Sequence, residues 1–332
     1  MIASGFSQHI FNITTEGEFN DLSLGIFNYQ AEYNPVYKDF IDKLGVRPSA
    51  IRSVRDIPFL PVEFFRNHRI ITGDHEPVTI FESSGTTGSD ASRHYILDPA
   101  LYEESFLKCF RYFFGEPAGY FFAALLPSYS ERENSSLVYM VSRLVSESRD
   151  VRSRFFLNDN EALIPALEKI KHEGGKGMLI GVSFALLELT EKYQADLSGI
   201  VVVETGGMKG RRKEITREEL HSILKKAFNI GSVHSEYGMT ELLSQAWSTG
   251  NGIFHTPPWM RVIIRDSYDP LTIINETGIS GGINIIDLAN INSCSFIATS
   301  DLGKLHKNGG FEVLGRFDNS DQRGCNLLID QA

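Results

Sequence analysis

A run of hydroxyls and glycines, Ser83-Ser84-Gly85-Thr86-Thr87-Gly88, follows the apolar stretch Val78-Thr79-Ile80-Phe81. Two glycines let backbone N–H groups close on an anion with no Cβ in the way, and four hydroxyls add donors. That is the make-up of a phosphate grip. It is not a Walker A loop, because no Gly-Lys-Ser/Thr follows, and an ordinary polar β-turn uses the same residue types. Thiol chemistry has three candidates. Cys325, in Arg323-Gly324-Cys325-Asn326, stands in the last eight residues with a cation beside it that favours the thiolate. Cys109 falls on an apolar helical stripe and reads as core, and Cys294 falls in a predicted turn. The nine histidines show no HExxH and no ligand spacing, so a zinc site is not expected. Ser183 in Gly181-Val182-Ser183 lacks the second glycine of a nucleophile elbow. Lys209-Gly210-Arg211-Arg212-Lys213 reads as a solvated face before a helix, or as a docking patch for an acidic partner.

These residues need a scaffold, and the chain's periodicity supplies one. Strand-like runs at Tyr120–Leu126, Met178–Val182 and Ile200–Val203 alternate with helical patterns over 135–147, 160–172 and 183–193. Such alternation is the mark of parallel strands covered by helices. Asp98 caps a further helix with Pro99 at its first position and Glu103 and Glu104 in its first turn. Its face Phe106, Cys109, Phe110, Phe113, Phe114 requires burial. Thr216-Arg217-Glu218-Glu219 is a capping box ahead of an apolar stripe at Leu220, Ile223, Leu224, Ala227 and Phe228. After Ser232 the runs Val262–Ile264, Leu271–Ile274, Ile283–Ile286 and Ser295–Ala298 lie close together, as in an antiparallel sheet or small barrel. The first 55 residues read as irregular helix and loop rich in aromatics, from Phe6 to Phe40.

Composition narrows the function classes. The chain has 332 residues, 42 % hydrophobic and 22 % charged, which is ordinary for a globular protein able to bury a large core. Its charge is 32 basic minus 42 acidic residues, −10, with no basic block of the length nucleic acid would require. Three widely spaced cysteines exclude a disulfide framework. The longest apolar run, Tyr120–Pro127, is far short of the ~20 residues that span a bilayer. The first twelve residues lack the basic and apolar regions of a signal peptide, so a cytoplasmic location is expected.

Taken with other segments, the Ser83–Gly88 loop resembles the phosphate loop of the adenylate-forming superfamily of acyl-CoA synthetases, luciferases and nonribosomal adenylation domains. Glu204-Thr205-Gly206-Gly207 follows a strand where that superfamily has its adenine-binding segment. Tyr237-Gly238-Met239-Thr240-Glu241 is similar to the aromatic-Gly-x-Thr-Glu motif, whose Glu helps hold Mg²⁺ and whose Thr contacts phosphate. Thr299-Ser300-Asp301-Leu302-Gly303 resembles the segment whose Asp binds the ribose hydroxyls. Gly315-Arg316-Phe317-Asp318 resembles the hinge motif, whose Arg reaches the nucleotide. Closer still, the chain resembles the LuxE-type acyl-protein synthetases. That likeness is carried by Pro61-Val62-Glu63-Phe64-Phe65, Ser83–Gly88, Leu126-Pro127-Ser128, Asn134-Ser135-Ser136-Leu137 and Glu204-Thr205-Gly206-Gly207-Met208-Lys209-Gly210.

The resemblance implies an α/β fold: mixed sheets covered by helices plus a small β-barrel-like part, with the C-terminal lid truncated or absent. It divides the chain into a segment 1–55, an ATP-binding domain 56–318 and a tail 319–332. ATP and Mg²⁺ are the implied cofactors. Ser83, Ser84, Gly85, Thr86, Thr87 and Gly88 would hold phosphate, and Gly206 and Gly207 would leave room for adenine. Tyr237 would stack on that base, while Asp301 and Arg316 would hold the nucleotide. Thr240 and Glu241 would act at the phosphates, with Glu241 as metal ligand. A fatty or other carboxylic acid becomes an acyl-adenylate, and the acyl group passes to a cysteine near the C-terminus, here Cys325, or to a thiol outside the chain. An acyl reductase or acyl carrier is the implied partner. Two departures stand out: Ser89-Asp90-Ala91-Ser92-Arg93-His94 lacks the usual lysine, for which Arg93 is the substitute on offer, and the lid's lysine is missing. His234 would lie near the site as a base or as a structural histidine. The rival readings are an acyl- or aryl-CoA ligase and an inactive nucleotide-binding scaffold.

Overall fold

The computed structural model describes residues 2–83, 91–127, 133–157, 159–206 and 215–317. Three helices open it: α1 (Ile2–Ile10), α2 (Glu16–Tyr33) and α3 (Pro35–Lys43). Here the expected irregular segment is regular. Thr15 caps α2 in a full capping box, its side chain accepting from Glu18 N at 3.2 Å while the Glu18 carboxylate accepts from Thr15 N at 2.9 Å. Phe19, Ile26 and Phe27 are buried while Leu22, Leu24 and Tyr29 are partly covered. Apolar residues therefore lie on more than one face, and the 3.6-residue stripe is blurred in the sequence.

The chain continues through β1 (Leu60–Pro61), the short α4 (Phe64–Asn67) and the hairpin β2 (Thr79–Glu82) and β3 (Arg93–Ile96). Then come α5 (Pro99–Phe114), β4 (Tyr120–Leu125), α6 (Ser136–Glu147), β5 (Arg154–Phe155), α7 (Asn160–His172), β6 (Lys176–Val182) and α8 (Ser183–Lys192). β7 (Val201–Thr205), α9 (Arg217–Phe228), β8 (His234–Tyr237) and β9 (Ala246–Ser248) complete the first large sheet, of order β5-β4-β6-β7-β8-β9. Its strands are parallel except for β9 at the edge. Helices cover both faces of such a sheet, which is why β4 is buried at every residue.

The second sheet is built from β10 (Met260–Arg265), β11 (Ile273–Ile274), β12 (Ser280–Asp287), β13 (Phe296–Leu305) and β14 (Phe311–Arg316). It runs β1-β13-β12-β10-β11, with β14 also on β13, and is antiparallel apart from β1. One continuous hydrophobic core joins the two sheets and α1–α3. Gln30 of α2 ties into it by donating to the carbonyls of Asn290 and Ile291, both at 3.1 Å, and accepting from Ser295 N at 2.9 Å.

Helix signals in the sequence translate closely, with corrections at α9 and at α5. Thr216 accepts from Glu219 N at 3.2 Å, but the reciprocal bond of a capping box is not formed, and Ile223 of the expected stripe is exposed. Asp98 accepts from Ala100 N and Leu101 N, but the first turn of α5 holds no acidic residue. Glu103 and Glu104 fall a turn later and pair with Arg143 and Lys108 instead. Along the stripe of α5, Phe106, Cys109 and Phe110 are buried, whereas Phe113 and Phe114 are half-buried, Phe114 packing on His234 and Trp247 at the edge of the sheet. No helix among the described residues is long and apolar enough to cross a membrane.

Candidate active site

β6, β7 and β8 end side by side, with Val182 opposite Thr205 and Thr205 opposite Glu236. Each chain must leave its strand here for a crossover, so loop side chains and backbone groups open into one crevice. The second sheet closes that crevice from the other side. Asp301 on β13 accepts a 2.7 Å hydrogen bond from the Tyr237 hydroxyl at the end of β8. Its other oxygen accepts from Arg316 Nε at 3.3 Å, and the two residues are register partners on β13 and β14. Burial and the neighbouring Asp301 charge hold the Tyr237 hydroxyl well above the usual phenol range, so it acts as a donor. The Tyr237 ring packs edge-on against Phe254 and Phe311, at 5.8 and 5.6 Å between centroids. Arg316 is 81 % exposed, so its pairing adds little stability and it serves as a cation at the rim.

Four residues beyond Tyr237, Glu241 is buried. Burial raises its carboxyl above the ordinary value; a hydrogen bond from Ser92 and the charges of Arg316 and Arg66 act the other way. No basic side chain among the described residues forms an ion pair with it. The turn carrying Glu241 is pinned from three directions. Asn290 Nδ2 donates to the Glu241 carbonyl at 2.7 Å. Asp287 accepts from Leu243 N, Ser244 N and Ser244 Oγ at 2.9, 2.8 and 2.6 Å. Finally, His94 of β3 contacts the Thr240 carbonyl through Nδ1 at 2.9 Å and Ser293 Oγ through Nε2 at 2.8 Å. A carbonyl only accepts, so Nδ1 carries the proton and Nε2 accepts from Ser293. Burial lowers His94 to about 4, which keeps the ring neutral.

The β2–β3 hairpin brings the base of the hydroxyl-rich loop to the same place. Ser83 N donates to the Ser92 carbonyl at 3.0 Å and Ser92 N donates to Ser83 Oγ at 2.9 Å. Ser92 thus links Ser83 to Glu241. Arg93, weighed above as a substitute lysine, pairs with Glu82 at 3.2 Å on the part-exposed hairpin.

At the end of β7, exposed Gly206 has φ +66°, a conformation that favours glycine, and its carbonyl accepts from Ser183 Oγ at 2.7 Å. Behind it Glu204 is buried. Burial raises its carboxyl, but hydrogen bonds from His221 and Ser235 and the charge of Arg217 outweigh that and leave it lowered. Ser183 is accordingly a structural donor at the start of α8. His234 packs its ring on Phe114, 5.8 Å between centroids, and burial lowers it, as fits a core histidine.

The structure therefore brings Ser83, Gly206, Tyr237, Thr240, Glu241, Asp301 and Arg316 around one crevice between the sheets. Ser84, Gly85, Thr86, Thr87, Gly88, Gly207 and Cys325 lie outside the described residues, as do the basic run 209–213 and Asp318. Cys109 and Cys294 are buried, and burial pushes the Cys294 thiol up to about 12. Neither is an available nucleophile.

Sequence reasoning missed several contributors. His94 sits on a strand of four residues, too short to read by alternation, and Ser92 immediately precedes it. Glu63 of the Pro61–Phe65 motif accepts from Ser300 Oγ at 2.6 Å, beside Asp301. Arg265 is buried behind Asp301, donating to the carbonyls of Ile283 and Thr299 at 2.7 and 2.6 Å and to Asn284 Oδ1 at 2.8 Å. Its register partner is Gly282, where any Cβ would collide with the guanidinium. An arginine ending an apolar strand, with paired glycines in a neighbouring strand, is the signal that was available.

No protein-family model matches the chain, and neither does any curated protein. Among solved structures, ATP-bound MatB from Rhodopseudomonas palustris is similar over 71 % of this chain and 47 % of its own, with 17 % identity and a TM-score of 0.53. Apo MatB from the same organism covers 72 % and 48 %, with 16 % identity and a TM-score of 0.51. At such identities the likeness is one of fold. The chain has the α/β fold of the large N-terminal domain of adenylate-forming enzymes, and spans about half the length of the solved proteins it matches.

Proposed function

We propose that the protein activates a carboxylic acid by adenylation, with ATP as co-substrate. A carboxylate repels nucleophiles, and conversion to an acyl-adenylate gives its carbon a leaving group. In that step a carboxylate oxygen bonds to the α-phosphorus, the bond to the β-phosphate breaks, and pyrophosphate departs. Two anions must meet, so positioning and charge neutralisation dominate the barrier. On this reading Asp301, aimed by Tyr237 and backed by Arg265, accepts the ribose hydroxyls. Gly206 and Gly207 leave room for adenine, Tyr237 faces the base, and Arg316 adds a fork-shaped cation at the rim. Ser83 and the loop through Gly88 grip the β- and γ-phosphates, with Thr240 beside them.

The donor set fits a hard dication. Glu241 offers a buried carboxylate without an ion-pair partner among the described residues, and Mg²⁺ takes few protein carboxylates when nucleotide phosphates share it. When bound, the ion offsets phosphate charge. Residues 56–318 would form this unit. The acyl group then moves to a thiolate: sulfur bonds to the acyl carbon, the carbon–oxygen bond to AMP breaks, and a thioester remains. Cys325 is the proposed acceptor in a LuxE-type synthetase, with a fatty acid as the starting hypothesis and an acyl reductase or carrier as partner.

The observation that carries the reading is the Tyr237–Asp301 hydrogen bond across 64 positions, next to a turn that holds Glu241 against the base of the Ser83 loop. Carboxylate-dependent exchange of labelled pyrophosphate into ATP tests it. Exchange that depends on acid and is lost in Asp301→Ala supports adenylation. Release of acyl-CoA on adding CoA would assign a CoA ligase, and nucleotide binding with no exchange for any acid would leave a scaffold.

A further inference from the structure

Two amides of the N-terminal helical segment are fully buried, Gln30 on α2 and Asn34 at the junction with α3. A buried amide is costly unless its hydrogen bonds are made, and an apolar side chain would fill either place without that demand. Both amides spend bonds on one stretch, the 3₁₀ turn Leu288–Asn292 and the residues just after it. Gln30 Nε2 donates to the Asn290 and Ile291 carbonyls at 3.1 Å, with Ser295 Oγ at 3.3 Å, and its Oε1 accepts from Ser295 N at 2.9 Å. Asn34 Nδ2 donates to the Ser293 carbonyl at 2.7 Å. The backbone of this stretch thus answers the N-terminal helices, while its side chains answer the Thr240–Glu241 turn. Asn290 Nδ2 donates to the Glu241 carbonyl at 2.7 Å and its Oδ1 accepts from Leu243 N at 3.1 Å. Ser293 Oγ donates to His94 Nε2 at 2.8 Å, and His94 Nδ1 donates to the Thr240 carbonyl at 2.9 Å. Two consecutive carbonyls of the turn are therefore held by donors that trace back to Gln30 and Asn34. Amides, a hydroxyl and an imidazole grip the turn by its backbone, whereas a lysine or arginine in the same place would also pair with the Glu241 carboxylate.

We propose that Gln30 and Asn34 are positioning residues for adenylation: through Asn290 and Ser293 they fix the Thr240–Glu241 turn, so that α2 belongs to the catalytic unit together with residues 56–318. This rests on the adenylation reading and brings the segment 1–55 into it. A buried polar network with its bonds made specifies one arrangement, and a reacting group misplaced by ~1 Å loses on the order of 10²-fold in rate.

Gln30→Met keeps the length of the side chain and removes its bonds to residues 290–295. In pyrophosphate exchange kcat should fall about tenfold or more with KM for ATP unchanged, since Asp301 and Arg316 keep their places on β13 and β14. In a Glu241→Gln background the same substitution should add no further loss, because its effect passes through that turn; a merely structural residue would lower both backgrounds alike. Hydrogen exchange reads the coupling without turnover. The Leu243 and Ser244 amides, bonded to Asp287 and Asn290, should lose protection in Gln30→Met while those of β4 and β6 keep theirs. If that variant fails to fold, Ser293→Ala removes one oxygen and with it the link to His94, and should give the same fall in kcat. Wild-type kcat in the folded variants, equal losses with and without Glu241, or unchanged protection of the turn overturns the inference and leaves adenylation standing. Absence of exchange by the wild type with every acid overturns adenylation, and this inference with it.

Discussion

Replacing Tyr237 with phenylalanine deletes one oxygen and leaves the ring among Phe254 and Phe311. What is lost is the 2.7 Å donor to buried Asp301, whose carboxylate then keeps, among the described residues, Arg316 Nε at 3.3 Å, a contact from a largely exposed side chain. A hydrogen bond to a charged group contributes about 1.5–3 kcal/mol. At roughly 2–4 °C per kcal/mol for a large domain, Tm should fall by about 3–12 °C. The same loss frees the Asp301 carboxylate to rotate, so ATP should bind about fivefold more weakly, the equivalent of ~1 kcal/mol. Calorimetry and nucleotide titration on Tyr237→Phe, Asp301→Ala and the double variant complete the cycle. If Tyr237 acts through Asp301, the two losses are coupled by ~1.5 kcal/mol or more. Additivity within ~0.5 kcal/mol, together with unchanged ATP affinity, would refute the claim that this bond builds the nucleotide site.

Glu241→Gln should abolish acid-dependent exchange by ~10²-fold or more, as loss of a preorganised charge does at such sites. It should cost no stability: burial raises the folded carboxyl above its ordinary 4.5, so the ionised form is what the native state disfavours, and the variant should match or exceed the wild type in Tm at pH 8. His94 has the opposite consequence. Its folded value is lowered to about 4 from 6.5, so the unfolded chain binds a proton first as pH falls, and stability full above 6.5 declines towards 4 by on the order of 3 kcal/mol. His94→Asn should flatten that limb in thermal melts across pH 4–7. Cys109 and Cys294 should resist thiol reagents in the native protein and react only in denaturant; rapid native labelling of either in a Cys325→Ser background would contradict their burial.

Much of the first sheet was legible because β4, β6 and β7 carry continuous apolar runs, and α5, α6 and α9 start at capping side chains ahead of an apolar stripe. α7 spans Asn160–His172, matching its sequence pattern, since its period owes nothing to distant residues. β8 and β14 escaped notice for the converse reason. His234-Ser235-Glu236-Tyr237 and Phe311–Arg316 carry polar residues where the crevice opens, so neither alternates cleanly. Asp301 and Arg316 could be singled out by motif, but only the antiparallel register of β13 and β14 makes them partners.

From the sequence alone came the residue types: a hydroxyl-rich loop, an acid after an aromatic-glycine turn, a second acid beyond it, and the helices that keep them apart. Those follow from local rules of capping, period and backbone freedom acting over a few residues. Tertiary structure decided which groups share one environment. It set Tyr237 on Asp301, Ser92 on Glu241, and Thr205 on Glu236. Charge state and hydrogen-bond satisfaction depend on burial and on partners far along the chain, and these exist only once the two sheets have closed on each other.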